Sequence, residues 1–158
     1  MKKVLFVCTG NTCRSPMAEA WLRHLCEKDG RSDIQAMSAG MDAYPGENAS
    51  LHAQEAVKEA GGDLSGHASR QLSEAMVLDA DMIAVMTGSH RYALLKLMPE
   101  MESKTFLLTH FSKETPEGAV PDPYGGDLES YRKCFRTIRE AVDNLYFSLI
   151  HHNPTNQG

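Results

Sequence analysis

The sequence lacks any apolar run that approaches the roughly 20 residues a helix needs to cross a bilayer. Its start, Met1 to Cys8, carries two lysines but too short an apolar stretch for a secretory signal, and no small-residue cleavage site follows. No membrane partner is expected, and the cytoplasm is the expected location. An excess of basic charge is missing as well. Sixteen Lys and Arg stand against twenty-one Asp and Glu, a formal net charge of −5. Binding along a nucleic-acid backbone needs a basic surface, so nucleic acid is excluded as the main partner. A local basic spot that holds one anion is not excluded. Cysteine is scarce: only Cys8, Cys13, Cys26 and Cys134 are present. Four thiols in 158 residues are not a disulfide scaffold, and in the cytoplasm they should stay reduced. Cys8 and Cys13 have a separation that zinc tolerates, but no second pair with ligand spacing accompanies them, and the histidines show no metal spacing. No metal and no cofactor is expected.

Repeats, linkers and low-complexity segments are absent too, and the length fits one domain. A chain of this size buries about 70% of its unfolded surface, enough for a core without staples. The domain is expected over residues 1–150, with the polar tail 151–158 frayed. Nothing specifies an oligomer, so a monomer is the default expectation.

The elements follow from periodicity. Val4-Leu5-Phe6-Val7 is a short apolar run of the kind that forms a buried parallel strand. Cys8 to Ser15 is a small, polar loop, and Ser15-Pro16 reads as N-cap and first residue of a helix that ends near Gly30. A second strand is expected at 34–39, a helix at 53–60, a short helix at 72–78 and a third strand at 81–86. A helix follows the turn at Thr87-Gly88 and is stopped by Pro99; a fourth strand is expected at 104–108. A Pro/Gly-rich loop spans 117–126, and the last helix is expected from Asp127 to Ile150. Alternating strands and helices predict an α/β fold, a three-layer αβα arrangement around a central parallel four-stranded sheet.

Ligand clefts in such sheets lie at the carboxyl ends of strands, and the first strand ends at Cys8. A Gly-containing turn between strand and helix directs backbone N–H groups inward and forms an anion-binding nest. The helix beyond adds the positive end of its dipole. The phosphate-binding loop after strand 1 is therefore Thr9, Gly10, Asn11, Thr12, Cys13, Arg14 and Ser15. Arg14 can grip two oxygens of a tetrahedral anion with its planar fork. The same positive field favours a thiolate on Cys8, the form that attacks phosphorus in line. Ser15 can donate a hydrogen bond to that sulfur. The loop is not an ATP loop, because it ends Cys-Arg-Ser where a Walker sequence ends Gly-Lys-Ser/Thr.

Cys8, five residues, then Arg14-Ser15 is the signature of cysteine-dependent phosphatases. The longer segment Val7-Cys8-Thr9-Gly10-Asn11-Thr12-Cys13-Arg14-Ser15-Pro16-Met17-Ala18-Glu19-Ala20, with Asp122-Pro123-Tyr124 far downstream, resembles the low-molecular-weight protein tyrosine phosphatase family. The resemblance covers the chain to about Ile150. It implies hydrolysis of phosphoryl groups from protein side chains through a phosphocysteine intermediate. Cys8, Arg14 and Asp122 would be catalytic, with Asp122 the general acid, and Tyr124 would line the entrance. Inorganic phosphate or a similar oxyanion would bind as product or inhibitor. The resemblance also implies loop support from Asn11, Ser15, Ser38 and His67, and a redox role for Cys13, which in this family can pair with the nucleophile.

Each of these residues has a plainer reading. A lone cysteine is usually a small buried hydrophobe, and an arginine is usually a solvated charge; the joint spacing with Ser15 weighs against both. Cys13 can equally be a packing residue, and Cys26 and Cys134 read as core residues on helix stripes. Asp-Pro is a common turn pair, so Asp122 taken alone is a turn residue. His67 is structural on either reading.

One loop residue bears on the substrate. Tyrosine-directed members commonly carry an aliphatic residue, often Ile, where this loop has Thr12. In this respect the loop resembles the protein arginine phosphatase branch, as do Gly125-Gly126 after Tyr124. A threonine leaves room beside a planar guanidinium and offers it a hydroxyl, whereas a bulky aliphatic side chain packs on a phenyl ring. Phosphoarginine is therefore favoured over phosphotyrosine, and Thr12 and Tyr124 are the specificity residues. Arsenate reduction on a related fold would need a resolving cysteine on a mobile segment. A non-catalytic phosphate-binding module would need neither Cys8 nor Asp122.

Overall fold

A computed structural model of the chain describes residues 1–151. The strands are β1 (Lys2–Cys8), β2 (Ile34–Gly40), β3 (Met82–Val85) and β4 (Thr105–Leu107). The helices are α1 (Arg14–Lys28), α2 (Leu51–Glu59), α3 (Glu74–Asp79), α4 (Gly88–Leu97) and α5 (Leu128–His151). All pairings are parallel, in the order β2-β1-β3-β4.

β1 explains both the layering and the place of the site. Val4, Leu5, Phe6 and Val7 are fully buried, because helices cover both faces of the strand. Val4 and Phe6 pack in the cluster with Met17 and Trp21 of α1 and Ile138 and Val142 of α5. Leu5 and Val7 pack on the other face with Val77 of α3 and Leu94 of α4. Each such side chain contributes about 1.5–3 kcal/mol by leaving water. The chain runs from β1 outward to β2 and then returns to the other side of β1 with β3. The carboxyl end of β1 is therefore the topological switch point, where the sheet opens a crevice.

Several boundaries differ from the sequence expectation, for local reasons. α1 begins at Arg14, with Cys13 in the N-cap position and no side-chain cap bond. Ser15 is not the cap because its hydroxyl turns back to Cys8 and Asn11. α3 starts at Glu74, where Ser73 caps the N–H of Met76 at 3.2 Å. Pro99 both ends α4 and opens a 3₁₀ turn, Pro99–Lys104, which shortens β4 to three residues; a second 3₁₀ turn, Leu108–Phe111, follows. His151, expected in the tail, is the last residue of α5; the remaining tail, 152–158, lies outside the described residues. Among the described residues no helix is long and apolar enough to cross a membrane.

Candidate active site

The loop leaves β1 at Cys8 and enters α1 at Arg14. It is fastened by groups drawn from three other segments: α1, β2 and residues 67–70. Asn11 is fully buried and holds φ at 56°, a left-handed conformation that costs a non-glycine residue energy. Its hydrogen bonds over-determine that conformation. Asn11 Nδ2 donates to Ser15 Oγ and to Ser38 Oγ, each at 2.9 Å, and its Oδ1 accepts from the Arg70 N–H at 2.9 Å. The Asn11 carbonyl lies 2.7 Å from His67 Nε2. A carbonyl can only accept, so that nitrogen carries the ring proton.

The proton directions along this chain are set by the same logic. Ser15 Oγ accepts from Asn11, so its own hydrogen is free to point at Cys8 Sγ, 2.8 Å away. Ser38 Oγ accepts from Asn11 and donates to Glu19 Oε1 at 2.7 Å. Glu19 is buried on α1 and paired with Arg23 at 2.8 Å. The order Cys8, Ser15, Asn11, Ser38, Glu19 thus runs from the thiol to a buried carboxylate. Gly40 must be glycine, since a Cβ there would sit 2.4 Å from the Thr9 carbonyl, where the loop crosses the end of β2.

Arg14 is 4% exposed. Its Nη1 donates to the Val120 carbonyl at 3.0 Å, and its Nη2 lies 3.6 Å from Asp122 Oδ2. Nε is buried without a partner among the described residues. An unpaired buried donor costs about 1–3 kcal/mol, which an anion at this site would offset. Asp122, half exposed, accepts the Tyr124 N–H at 3.0 Å through Oδ1, so its carboxylate and the exposed Tyr124 ring share one tight turn. Cys8, Thr12, Arg14, Asp122 and Tyr124 all line one cleft of about 300 Å³.

Cys13 faces away from that network. Its sulfur lies 3.4 Å from Tyr131 Oη and 3.6 Å from Ser50 Oγ, against α5 and the start of α2. All four cysteines are free. Burial, and then the contact with Cys13, pushes the Tyr131 hydroxyl up to about 12. Burial also pushes the Cys134 thiol up to about 12, with the Arg14 charge opposing it. Cys134 is therefore a packing thiol on α5.

Several residues of the site have no mark in the sequence. Asp42, Tyr44 and Glu47 line the same cleft from the segment after β2. Glu19 carried a faint signal, a carboxylate set among the apolar residues of α1. His90 is the other addition. Its Nε2 lies 2.8 Å from Thr9 Oγ1 and its Nδ1 lies 3.0 Å from Thr87 Oγ1. Thr87 Oγ1 also accepts the His90 backbone N–H as cap of α4, so two threonine hydroxyls hold the ring between the loop after β1 and the start of α4.

Burial, followed by the Arg14 charge, lowers the His90 pKa from 6.5 to about 4, with Asp122 opposing. The consequence for stability has a definite sign. Above pH 6.5 folded and unfolded chains both hold His90 neutral; between there and about 4 only the unfolded chain takes up the proton. Stability is therefore lost as pH falls through that window, by about 2 kcal/mol at a pH near 5. Urea midpoints at neutral pH and at about pH 5 measure it. His90→Gln is expected to lose less stability over that interval than the wild type, and equal losses would contradict this assignment.

The parallel sheet, the loop at its switch point and a buried Arg14 that lines one cleft with Cys8 fit a cysteine-based phosphatase. A family model described as low molecular weight phosphotyrosine protein phosphatase matches residues 3–154, and the chain belongs to that family. It acts on phosphorylated proteins. Among relatives, a protein-arginine-phosphatase of Geobacillus stearothermophilus is 38% identical over 143 residues, covering 90% of this chain and 93% of the relative. Among solved structures, a Cys-to-Ser mutant of the YwlE arginine phosphatase, described as having a phosphorylated active-site serine, superposes with a TM-score of 0.87. It is 33% identical and covers 96% of this chain and 97% of its own. A low molecular weight protein tyrosine phosphatase from T. tengcongensis has the same TM-score of 0.87 at 40% identity, covering 94% and 99% of the two chains.

Proposed function

We propose that this chain is a protein-arginine phosphatase in which Cys8 is the nucleophile, Arg14 the phosphoryl clamp and Asp122 the general acid. The Cys8 thiolate attacks phosphorus opposite the leaving nitrogen, with the Arg14 fork and the loop N–H groups holding the phosphoryl oxygens. The phosphorus–nitrogen bond breaks as Asp122 gives its proton to that nitrogen, so the arginine side chain leaves as a guanidinium. Asp122, now a carboxylate, takes a proton from water as the water oxygen attacks phosphocysteine. The sulfur leaves as a thiolate, stabilised by the Ser15 hydroxyl at 2.8 Å, and inorganic phosphate departs. Other tetrahedral oxyanions compete for the same cradle. A nucleophilic thiol also needs a reducing compartment, which points to the cytoplasm.

The observation that carries the choice of phosphoarginine is Thr12, a short polar side chain on the wall of the cleft that holds Cys8. A guanidinium is flat, charged and wet, and a hydroxyl beside it serves better than a bulky aliphatic group. The names of two relatives support this reading. Tyr44 and Tyr124, both exposed at the cleft, favour the second reading, since aromatic walls also suit a phenyl ring. Turnover of matched phosphoarginine and phosphotyrosine peptides by the wild type and by Thr12→Ile separates the two. The wild type is expected to prefer phosphoarginine, and Thr12→Ile is expected to shift the ratio of kcat/KM toward phosphotyrosine by about 10-fold to 200-fold, the range one added apolar contact supplies. A wild type that prefers phosphotyrosine, with Thr12→Ile changing little, would make the protein an ordinary tyrosine phosphatase.

A further inference from the structure

We infer that Asp42 and Glu47 form an acidic rim that selects substrates carrying basic residues beside the phosphorylated side chain. This rests on the reading that the phosphorylated side chain enters the Cys8 cleft, and it holds for phosphoarginine and phosphotyrosine alike.

The cleft has opposite charges at its two ends. At its floor lie the loop after β1, the start of α1 with its positive dipole end, and Arg14, whose buried Nε has no partner among the described residues. Its other charged lining residues, Asp42, Glu47 and Asp122, are all acidic. Asp42 and Glu47 are exposed, and neither carboxylate has an ion pair or side-chain hydrogen bond among the described residues. Solvated carboxylates are common on protein surfaces and usually mean nothing. These two differ because they ring the mouth of a site that binds anions, where negative charge works against the phosphoryl group. Such placement is unfavourable for capture of free phosphate, and becomes favourable when the ligand brings its own cations to the rim.

The backbone holds the rim in place. The Met41 N–H donates to the Cys8 carbonyl at 2.8 Å and the Asp42 N–H to the Thr9 carbonyl at 2.9 Å, which fixes Asp42 to the phosphate loop itself. The Gly46 N–H donates to the Ser69 carbonyl at 2.8 Å, and the Glu47 N–H to Ser69 Oγ at 2.8 Å. The Ser69 N–H returns a bond to the Glu47 carbonyl at 2.8 Å. A segment strapped this way gives up little freedom when a peptide arrives, so its charges act on the encounter and on KM. Acidic flanking residues meet the same field with the opposite sign and are rejected.

The test compares Lys-flanked with Glu-flanked peptides, in both a phosphoarginine and a phosphotyrosine series. The enzymes are the full-length wild type and the double variant Asp42→Asn, Glu47→Gln. The quantity read is the Lys/Glu ratio of kcat/KM within each enzyme, which cancels any general loss of activity in the variant. The wild type is expected to favour Lys-flanked peptides by about 10-fold at low salt, chiefly through KM. The ratio is expected to fall toward unity in the double variant, and in the wild type at about 1 M salt, where screening acts within about 3 Å. A wild-type ratio near unity, or a preference that survives the double variant, would overturn the inference. If the phosphotyrosine series is the faster one, the phosphoarginine reading fails, and the flank ratio in that series still decides the rim.

Discussion

Replacing Cys8 by Ser is expected to lower turnover by about 10⁴-fold or more, the scale on which a lost nucleophile registers, and to leave a phosphoryl group stranded on residue 8. The two side chains are nearly the same size, and the position is 2% exposed, so the fold should survive the exchange. What changes is the chemistry of the attacking atom. A hydroxyl is a weak nucleophile at its ordinary pKa and needs a neighbouring base. Among the described residues the one hydroxyl in contact is Ser15 at 2.8 Å, and a hydroxyl is no base that could take the proton. Attack therefore becomes slow. A phosphoserine, once formed, also leaves far less readily than a phosphocysteine. A related Cys-to-Ser mutant structure is described as having a phosphorylated active-site serine. Steady-state turnover and the intact mass of the variant after exposure to phosphopeptide measure both effects. Turnover within tenfold of the wild type would place the nucleophile elsewhere.

Asp122→Asn is expected to lower kcat by about 10²–10⁴-fold, the usual worth of a positioned general acid, with KM changed far less. Asparagine keeps the acceptor that the Tyr124 N–H uses at 3.0 Å, so the turn should hold. Its 3.6 Å approach to Arg14 is lost as an ion pair, but Asp122 is half solvated and such a pair contributes little. The informative readout is the dependence of kcat/KM on the leaving group. The variant should lose far less on an aryl phosphate, whose leaving group departs without a proton, than on a phosphopeptide. An equal loss on both would assign the proton transfer to another group.

The sequence made some of this legible and hid the rest, for physical reasons. The first strand could be read because it is buried on both faces, which forces four consecutive apolar residues. The loop could be read because its chemistry is local: Cys8, Arg14 and Ser15 act within one turn of chain. The N-terminus of α1 was misread because Ser15 has two possible hydrogen-bonding jobs, cap or loop brace, and only the packed structure shows that it braces. Ser38 and His67 were reachable through family resemblance alone, since nothing local marks a residue that reaches Asn11 across 27 or 56 positions of sequence. Asp42, Glu47 and His90 gave no signal. An acidic residue in a polar loop and a histidine beside a helix cap have many ordinary uses, and their roles come from the parallel crossovers that bring β2 and β3 to either side of β1.

The most direct test of the account is to stop the reaction during turnover and look for the phosphoryl group on the enzyme. Wild type and Asp122→Asn would be mixed with a phosphoarginine peptide, quenched in acid within the first turnovers, digested and mapped by mass spectrometry. The account predicts one phosphoryl group on Cys8, present transiently in the wild type and persisting longer in Asp122→Asn, where no carboxylate activates the water that hydrolyses it. Turnover without any phosphorylated Cys8 in either enzyme, or a phosphoryl group on another residue, would contradict it.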